Sequence, residues 1–256
     1  MTRVGVQRAL QVVAPIVVGI LLLALWSGLV ATGLTPNSVP SPTAVLESLT
    51  TNVGIVFEDV LITGGNALVG LLGGSLLAIV LAGLAARFAP IDGMSAPLVS
   101  VLAVVPIVAL APILNSMYGA GEQTARQVIA GIAAFVPVFV TTLRGLRQTL
   151  PVQRDLFRAT AATGIQTFLK LTLRTALPYM LTGLRVASSL AVISALVAEY
   201  FGGPVSGIGS AIGSYAKSGS NALAWAYITG GIAVGLVFFL VTGALERLVN
   251  RHRSDA

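Results

Sequence analysis

Cysteine is absent from the chain, which excludes disulfide frameworks, thiolate metal sites and cysteine nucleophiles. Histidine is nearly absent: His252 stands alone in the basic tail Arg251-His252-Arg253. A zinc site needs three or four converging ligands, so a single tail histidine reads as a solvated residue. Charge is scarce, at 9% of residues, and it is missing altogether from Ala9 to Leu46, Val60 to Ala86, Gly93 to Gly121 and Ser218 to Leu245. A soluble domain of 256 residues would need charge over its surface. An apolar run of about eighteen residues is instead long enough to cross a hydrocarbon core of about 30 Å. With 55% hydrophobic residues and a mean hydropathy of +0.92, the chain reads as an all-α polytopic membrane protein. Residues 1–256 form a single membrane domain, with no room for a large soluble one.

The periodicity and run lengths predict six transmembrane helices: Val12–Ala31, Val60–Ala86, Ser95–Leu114, Val128–Leu143, Tyr179–Val197 and Leu223–Leu245. Arg3 and Arg8 precede the first run, as in a secretion signal, but twenty apolar residues are too many for a signal core and suit a retained spanning helix. With the N-terminus inside, the inner segments carry twelve Lys and Arg and the outer segments two, Arg126 and Lys217. That bias fixes the direction and places both termini in the cytoplasm. The net charge of +6 then marks the face beside anionic lipid rather than a nucleic-acid surface. The first outer loop holds Pro36, Pro40 and Pro42, which break a helix, and Thr43 to Phe57 is expected to form a short helix at the outer face. Gly70 and Gly74, Gly231 and Gly235, and the small residues of the fifth span read as close helix packing.

The inner segment 144–178 is long for a connection in such a bundle. Pro151 and Pro178 frame a stretch in which Leu156, Phe157, Ile165, Phe168 and Leu169 are apolar and Arg154, Arg158, Lys170 and Arg174 are charged. An amphipathic helix of this kind rests on lipid or docks into a groove of a cytoplasmic partner, and the pattern alone leaves both open.

From Asp155 to Arg185, ending Ala176-Leu177-Pro178-Tyr179, this segment resembles the cytoplasmic EAA loop of ABC importer permeases. Pro40-Ser41-Pro42, Val105-Pro106 to Pro112, Gly119-Ala120-Gly121-Glu122 and Ala198-Glu199-Tyr200-Phe201-Gly202-Gly203 follow in the order found in the nitrate, sulfonate and taurine branch. That branch also includes permeases for pyrimidine-type and thiamine precursors, and the resemblance runs over nearly the whole chain. Aligned without a gap before Pro178, the motif's acidic position falls on Asp155, its two alanines on Leu156 and Phe157, and its glycine on Ala161. A second register puts the glycine on Gly164 and replaces the acid with Arg158.

The resemblance implies a type I importer fold in a prokaryotic plasma (inner) membrane. It implies a second permease copy, most simply in a homodimer, cytoplasmic ATP-binding subunits that hold ATP and Mg, and an extracytoplasmic substrate-binding protein. Asp155 to Thr167, with Asp155, Leu156, Phe157, Arg158, Ala161 and Gly164 as contact residues, would be the coupling helix. The chain itself is expected to bind no cofactor and to hydrolyse no ATP. A phosphate loop requires G-x-x-x-x-G-K-[ST], and before Lys217-Ser218 stand Ala216 and Ala211 instead of the glycines. Pro106 and Pro112 are expected to bend the third span or to expose its backbone to a pathway, and Glu199 to anchor a loop, to act as a gate or to contact the binding protein. Arg185 is expected to snorkel toward the inner face. A self-sufficient secondary transporter or channel is the rival reading. It would place charged groups near the bilayer midplane, where this chain has almost none.

Overall fold

A computed structural model describes residues 3–119, 121–202 and 206–254. Ala120 and Gly203, which belong to the resemblance, and the side chain of His252 lie outside the described residues. The described residues form helices α1 (Arg3–Ala31), α2 (Pro42–Thr51), α3 (Val53–Arg87), α4 (Ala89–Val104), α5 (Ile107–Tyr118) and α6 (Thr124–Leu146). They continue with α7 (Pro151–Ala159), α8 (Gly164–Thr167), a π-helical turn Phe168–Thr172, α9 (Leu173–Phe201), α10 (Ile208–Lys217) and α11 (Asn221–Ser254).

Five stretches are long and apolar enough to cross a membrane, and the bent pair α4–α5 makes a sixth when counted as one span. The packing of α3 and α6 supports that sixth crossing. Asn66 of α3 bonds Gln123 at the start of α6, and four residues further along each helix Gly70 faces Gln127. The two helices therefore run parallel, so the chain between them must cross back. The third span, expected as one helix over Ser95–Leu114, is broken at Val105–Pro106 with a bend of 93°. Pro106 is the N-cap of α5 and has no N–H for a continuing helix, whereas Pro112 lies inside α5.

The core is built around α6, which packs most extensively on α9 and α3. Its buried contacts are mainly small: Ala67, Ala78, Ala82, Ala130, Ala134, Ala187, Ala191 and Ala195 are fully enclosed. Without water between helices, close van der Waals contact holds such a bundle together. At Gly70 an added Cβ would lie 2.5 Å from the Cβ of Ala130, and at Gly74 it would strike the backbone of Gly131. These two glycines set the α3–α6 separation. At Gly231 an added Cβ would lie a tight 3.3 Å from Leu196 Cδ1, and at Gly235 an ordinary 3.9 Å from Val192. Helix α1 touches the rest mainly through α2 and the Trp26–Trp225 ring pair, 5.2 Å between centroids. That pair joins the C-terminal part of α1 to the N-terminal part of α11, as an even number of crossings requires.

The outer-face helix expected within Thr43–Phe57 is α2, started by Pro42 at its first position and by Ser41 Oγ accepting from Ala44 N at 3.2 Å. A break at Asn52 separates it from α3, which begins seven residues before the expected Val60 and so carries Glu58 and Asp59.

Candidate functional sites at the two membrane faces

At the inner face, Pro151 opens α7 and Gln153 Oε1 accepts from Leu150 N at 3.1 Å. Asp155, Leu156 and Arg158 are exposed on it and Phe157 is half-buried. Arg158 Nη1 donates to Asp155 Oδ1 at 3.2 Å. The exposed side chains include large apolar ones: Val152 is 77% exposed, Leu156 62%, and Ile165 beyond the turn 74%.

The helix expected over Asp155–Thr167 is two helices. α7 ends in a Schellman motif: Ala162 N donates to Phe157 O at 3.0 Å and Ala161 N to Arg158 O at 2.9 Å. The motif needs a left-handed residue, and Ala161 supplies it with φ 53°, the one positive φ on a non-glycine among the described residues. Gly164 opens α8 in ordinary helical geometry. A capping box starts α8, with Gln166 N donating to Thr163 Oγ1 at 3.3 Å and Thr163 N to Gln166 Oε1 at 3.0 Å. From there one apolar helical run of 38 residues, Gly164–Phe201, continues to the outer face. At about 1.5 Å per residue it is on the order of 57 Å long.

Inside this run Arg185 lies against α11. Its Nη1 donates to Glu246 Oε2 at 3.2 Å and its guanidinium lies 4.2 Å from the ring centroid of Phe239. Thr182 Oγ1 donates to the same carboxylate at 2.6 Å, so α9 and α11 are pinned near their inner ends.

The outer end of the run carries Glu199, fully buried, at the centre of a polar network. Its carboxylate accepts from Thr63 Oγ1 at 2.8 Å, Asn66 Nδ2 at 3.3 Å and Gly209 N at 3.0 Å. Two neighbouring amides of α10 are held likewise: Gly207 N by Asp59 Oδ1 at 2.7 Å and Ile208 N by Thr63 Oγ1 at 2.9 Å. Gly207, with φ 97°, gives the approach that brings these amides onto α3 and α9. Gln123 extends the network. Its Oε1 accepts from Asn66 Nδ2 at 2.7 Å and from Arg126 Nη1 at 2.8 Å, and its Nε2 donates to Ser206 at 3.0 Å. Arg126 is fully buried too, and its Nε and Nη2 have no hydrogen-bond partner among the described residues. These contacts give Glu199 the geometry of an anchor that ties α3, α9 and α10 together.

Reading the sequence singles out Glu199 but misses Thr63, Asn66, Gln123 and Arg126. One signal was available: Asn66 is a strongly polar side chain within a charge-free run. Beside the network, a cavity of about 550 Å³ lies between α3, α4 and α6. Its walls are apolar, with Leu98, Leu102 and Phe135 among them, and Thr124 and Gln127 are its polar groups. Gln127 Nε2 donates to Asn66 Oδ1 at 3.3 Å, which links the cavity to the network. No cluster of His, Cys, Asp and Glu suited to a metal is found among the described residues.

Comparison with known proteins agrees with this architecture. The model of the family described as binding-protein-dependent transport system inner membrane component matches residues 74–254. A probable ABC transporter permease protein of Haemophilus influenzae is 30% identical over 73% of this chain and 76% of its own length. The formylaminopyrimidine transport permease protein ThiX of Halalkalibacterium halodurans is 29% identical over 77% of this chain and 78% of its own. The taurine transport system permease protein TauC of Escherichia coli is 26% identical over 91% and 85%. An all-helical bundle with five or six crossings and a match over most of its length, the chain belongs to the binding-protein-dependent transport system inner membrane component family, the multi-pass permease components of ABC transporters for small solutes.

Proposed function

We propose that this chain forms one half of the translocation path of an ATP-driven importer, with α7 as the element that couples it to a cytoplasmic ATPase subunit. The observation that carries the reading is α7 itself, a short helix at the inner face that presents Val152 and Leu156 to the outside instead of burying them. An apolar helix face of this kind fits a groove on a partner. The left-handed Ala161 supports the register that sets Asp155 at the acidic position and Ala161 at the glycine position, because the Schellman turn wants glycine there. In this reading Asp155, Leu156, Phe157 and Arg158 meet the ATPase, and the turn at Ala161 and Gly164 aims them.

The rest of the mechanism follows from connectivity. Displacement of α7 acts through the turn on the Gly164–Phe201 run, whose outer end is bonded to α3 and α10 through Glu199. ATP binding outside this chain has to favour one arrangement of the bundle over the other, and α7 is where that differential contact is made. This chain then holds neither ATP nor Mg. An extracytoplasmic binding protein delivers the solute, and a second copy completes the path, covering part of the unpartnered surface of α1 and the cavity beside α3 and α6. The solute is a small one of the kind carried by the branch: nitrate, a sulfonate such as taurine, or a pyrimidine-type vitamin precursor. The family match does not favour a self-sufficient transporter or channel.

The test is Leu156→Asp and a deletion of 152–159 in the assembled transporter, with solute uptake and ATP hydrolysis measured separately. The reading predicts normal membrane insertion, lost uptake, and hydrolysis that no longer responds to the loaded binding protein. ATP-driven uptake retained after the deletion would sink it.

A further inference from the structure

A second cavity, of about 480 Å³, lies at the inner face between the end of α3, the end of α6 and the α7–α8 turn. Three arginines line it, Arg87 from the last turn of α3 and Arg154 and Arg158 from α7, and no carboxylate does. Neither Arg87 nor Arg154 is paired with a carboxylate among the described residues. Arg154 Nε donates to the neutral Thr149 Oγ1 at 2.8 Å, and Arg87 lies 5.4 Å from the Phe88 ring centroid. Arg158 is bridged to Asp155, whose side chain stays outside the cavity lining. Leu146 and Phe168 give the cavity an apolar wall.

The geometry points to a binding site for a phosphate-bearing anion, the headgroup of an anionic inner-leaflet phospholipid or a soluble phosphate, held between Arg87, Arg154 and Arg158. Guanidinium groups match phosphate oxygens in paired hydrogen bonds better than any other side chain does. Arg87 ends a spanning helix at the positive face, at the level where anionic headgroups gather. The apolar wall suits the glycerol and first acyl carbons of a lipid. A phosphate bridging Arg87 to α7 ties α7 to the end of α3, two elements that no hydrogen bond or ion pair joins among the described residues. The site stands whether or not α7 docks on an ATPase, since it is measured on the permease alone.

The experiment is native mass spectrometry of the full chain in detergent, offered equal amounts of phosphatidylglycerol and phosphatidylcholine. The wild type is expected to retain phosphatidylglycerol in preference. Arg87→Gln and Arg154→Gln should each lower that preference about fivefold, and together about 25-fold, since each basic residue near a lipid surface contributes about 1 kcal/mol. Arg87→Lys should keep most of the preference, and Lys217→Gln at the outer face should leave it intact. A monodisperse elution profile confirms that each variant is folded. Displacement of the lipid by inorganic phosphate assigns the site to phosphate in general, and its failure to displace assigns it to the lipid headgroup. No preference in the wild type, or the same preference in the folded Arg87→Gln/Arg154→Gln variant, overturns the proposal.

Discussion

Replacing Glu199 tests whether the outer network is an anchor. In Glu199→Ala two buried donors, Thr63 Oγ1 and Gly209 N, lose their acceptor together, and Asn66 Nδ2 keeps only its bond to Gln123. A buried donor left unsatisfied costs about 1–3 kcal/mol, and removing one partner from a buried charged network costs about 3–5 kcal/mol. Arg126, buried nearby, also loses a carboxylate whose field favours its charge. Taking about 4 kcal/mol, and about 2–4 °C per kcal/mol for a chain of this size, the melting temperature should fall by about 8–16 °C. Glu199→Gln keeps the shape and one oxygen, so it should retain part of the network and fall by about a third as much. The assay is thermal unfolding of detergent-purified protein, followed by static light scattering and by size-exclusion recovery after heating. A Glu199→Ala variant that melts within about 2 °C of the wild type while losing transport would refute the anchor and make Glu199 a gate.

Gly74→Ala should cost about 1–3 kcal/mol, because its Cβ meets the backbone of Gly131 and forces α3 off α6. Gly73→Ala, one residue away and facing open space, should be neutral or stabilising by up to about 1 kcal/mol, and the same melts separate the two. Ala161→Gly should stabilise the end of α7 by about 1 kcal/mol by removing the Cβ from a left-handed residue. Ala161→Val should do the reverse, both read as hydrogen-exchange protection of the Ala161 and Ala162 amides. Glu246→Gln should weaken the α9–α11 contact by removing the charge that faces Arg185, lowering the melting temperature by a few degrees.

The spans were legible because lipid allows few solutions: a backbone in hydrocarbon must be helical. The break at Val105–Pro106 was legible only as a bend. Proline is tolerated in spanning helices, and nothing in a uniformly apolar run tells a kink from a 93° turn. The split of the inner helix was half legible. Thr163 followed three residues later by Gln166 is a helix-start pattern, but the Thr-Ala-Ala-Thr stretch before it carries no glycine or proline to announce a left-handed turn. The Glu199 network was the least legible. Its bonds join residues up to 148 apart, and Thr63 looks like any small packing residue until tertiary structure brings it to the carboxylate. The pairing of Arg185 with Glu246 was not legible, because the two lie 61 residues apart and meet only where α11 is placed beside α9.

The most direct test of the central claim is affinity capture of the tagged chain in mild detergent from cells that also express its neighbours, with mass spectrometry and an ATPase assay on the eluate. A coupling role for α7 predicts a stoichiometric subunit bearing a phosphate-loop motif, ATP hydrolysis that depends on it, and loss of both when Leu156 becomes Asp. Capture of the chain alone, or of a stable complex without ATPase activity, would contradict it and leave α7 as a helix resting on lipid.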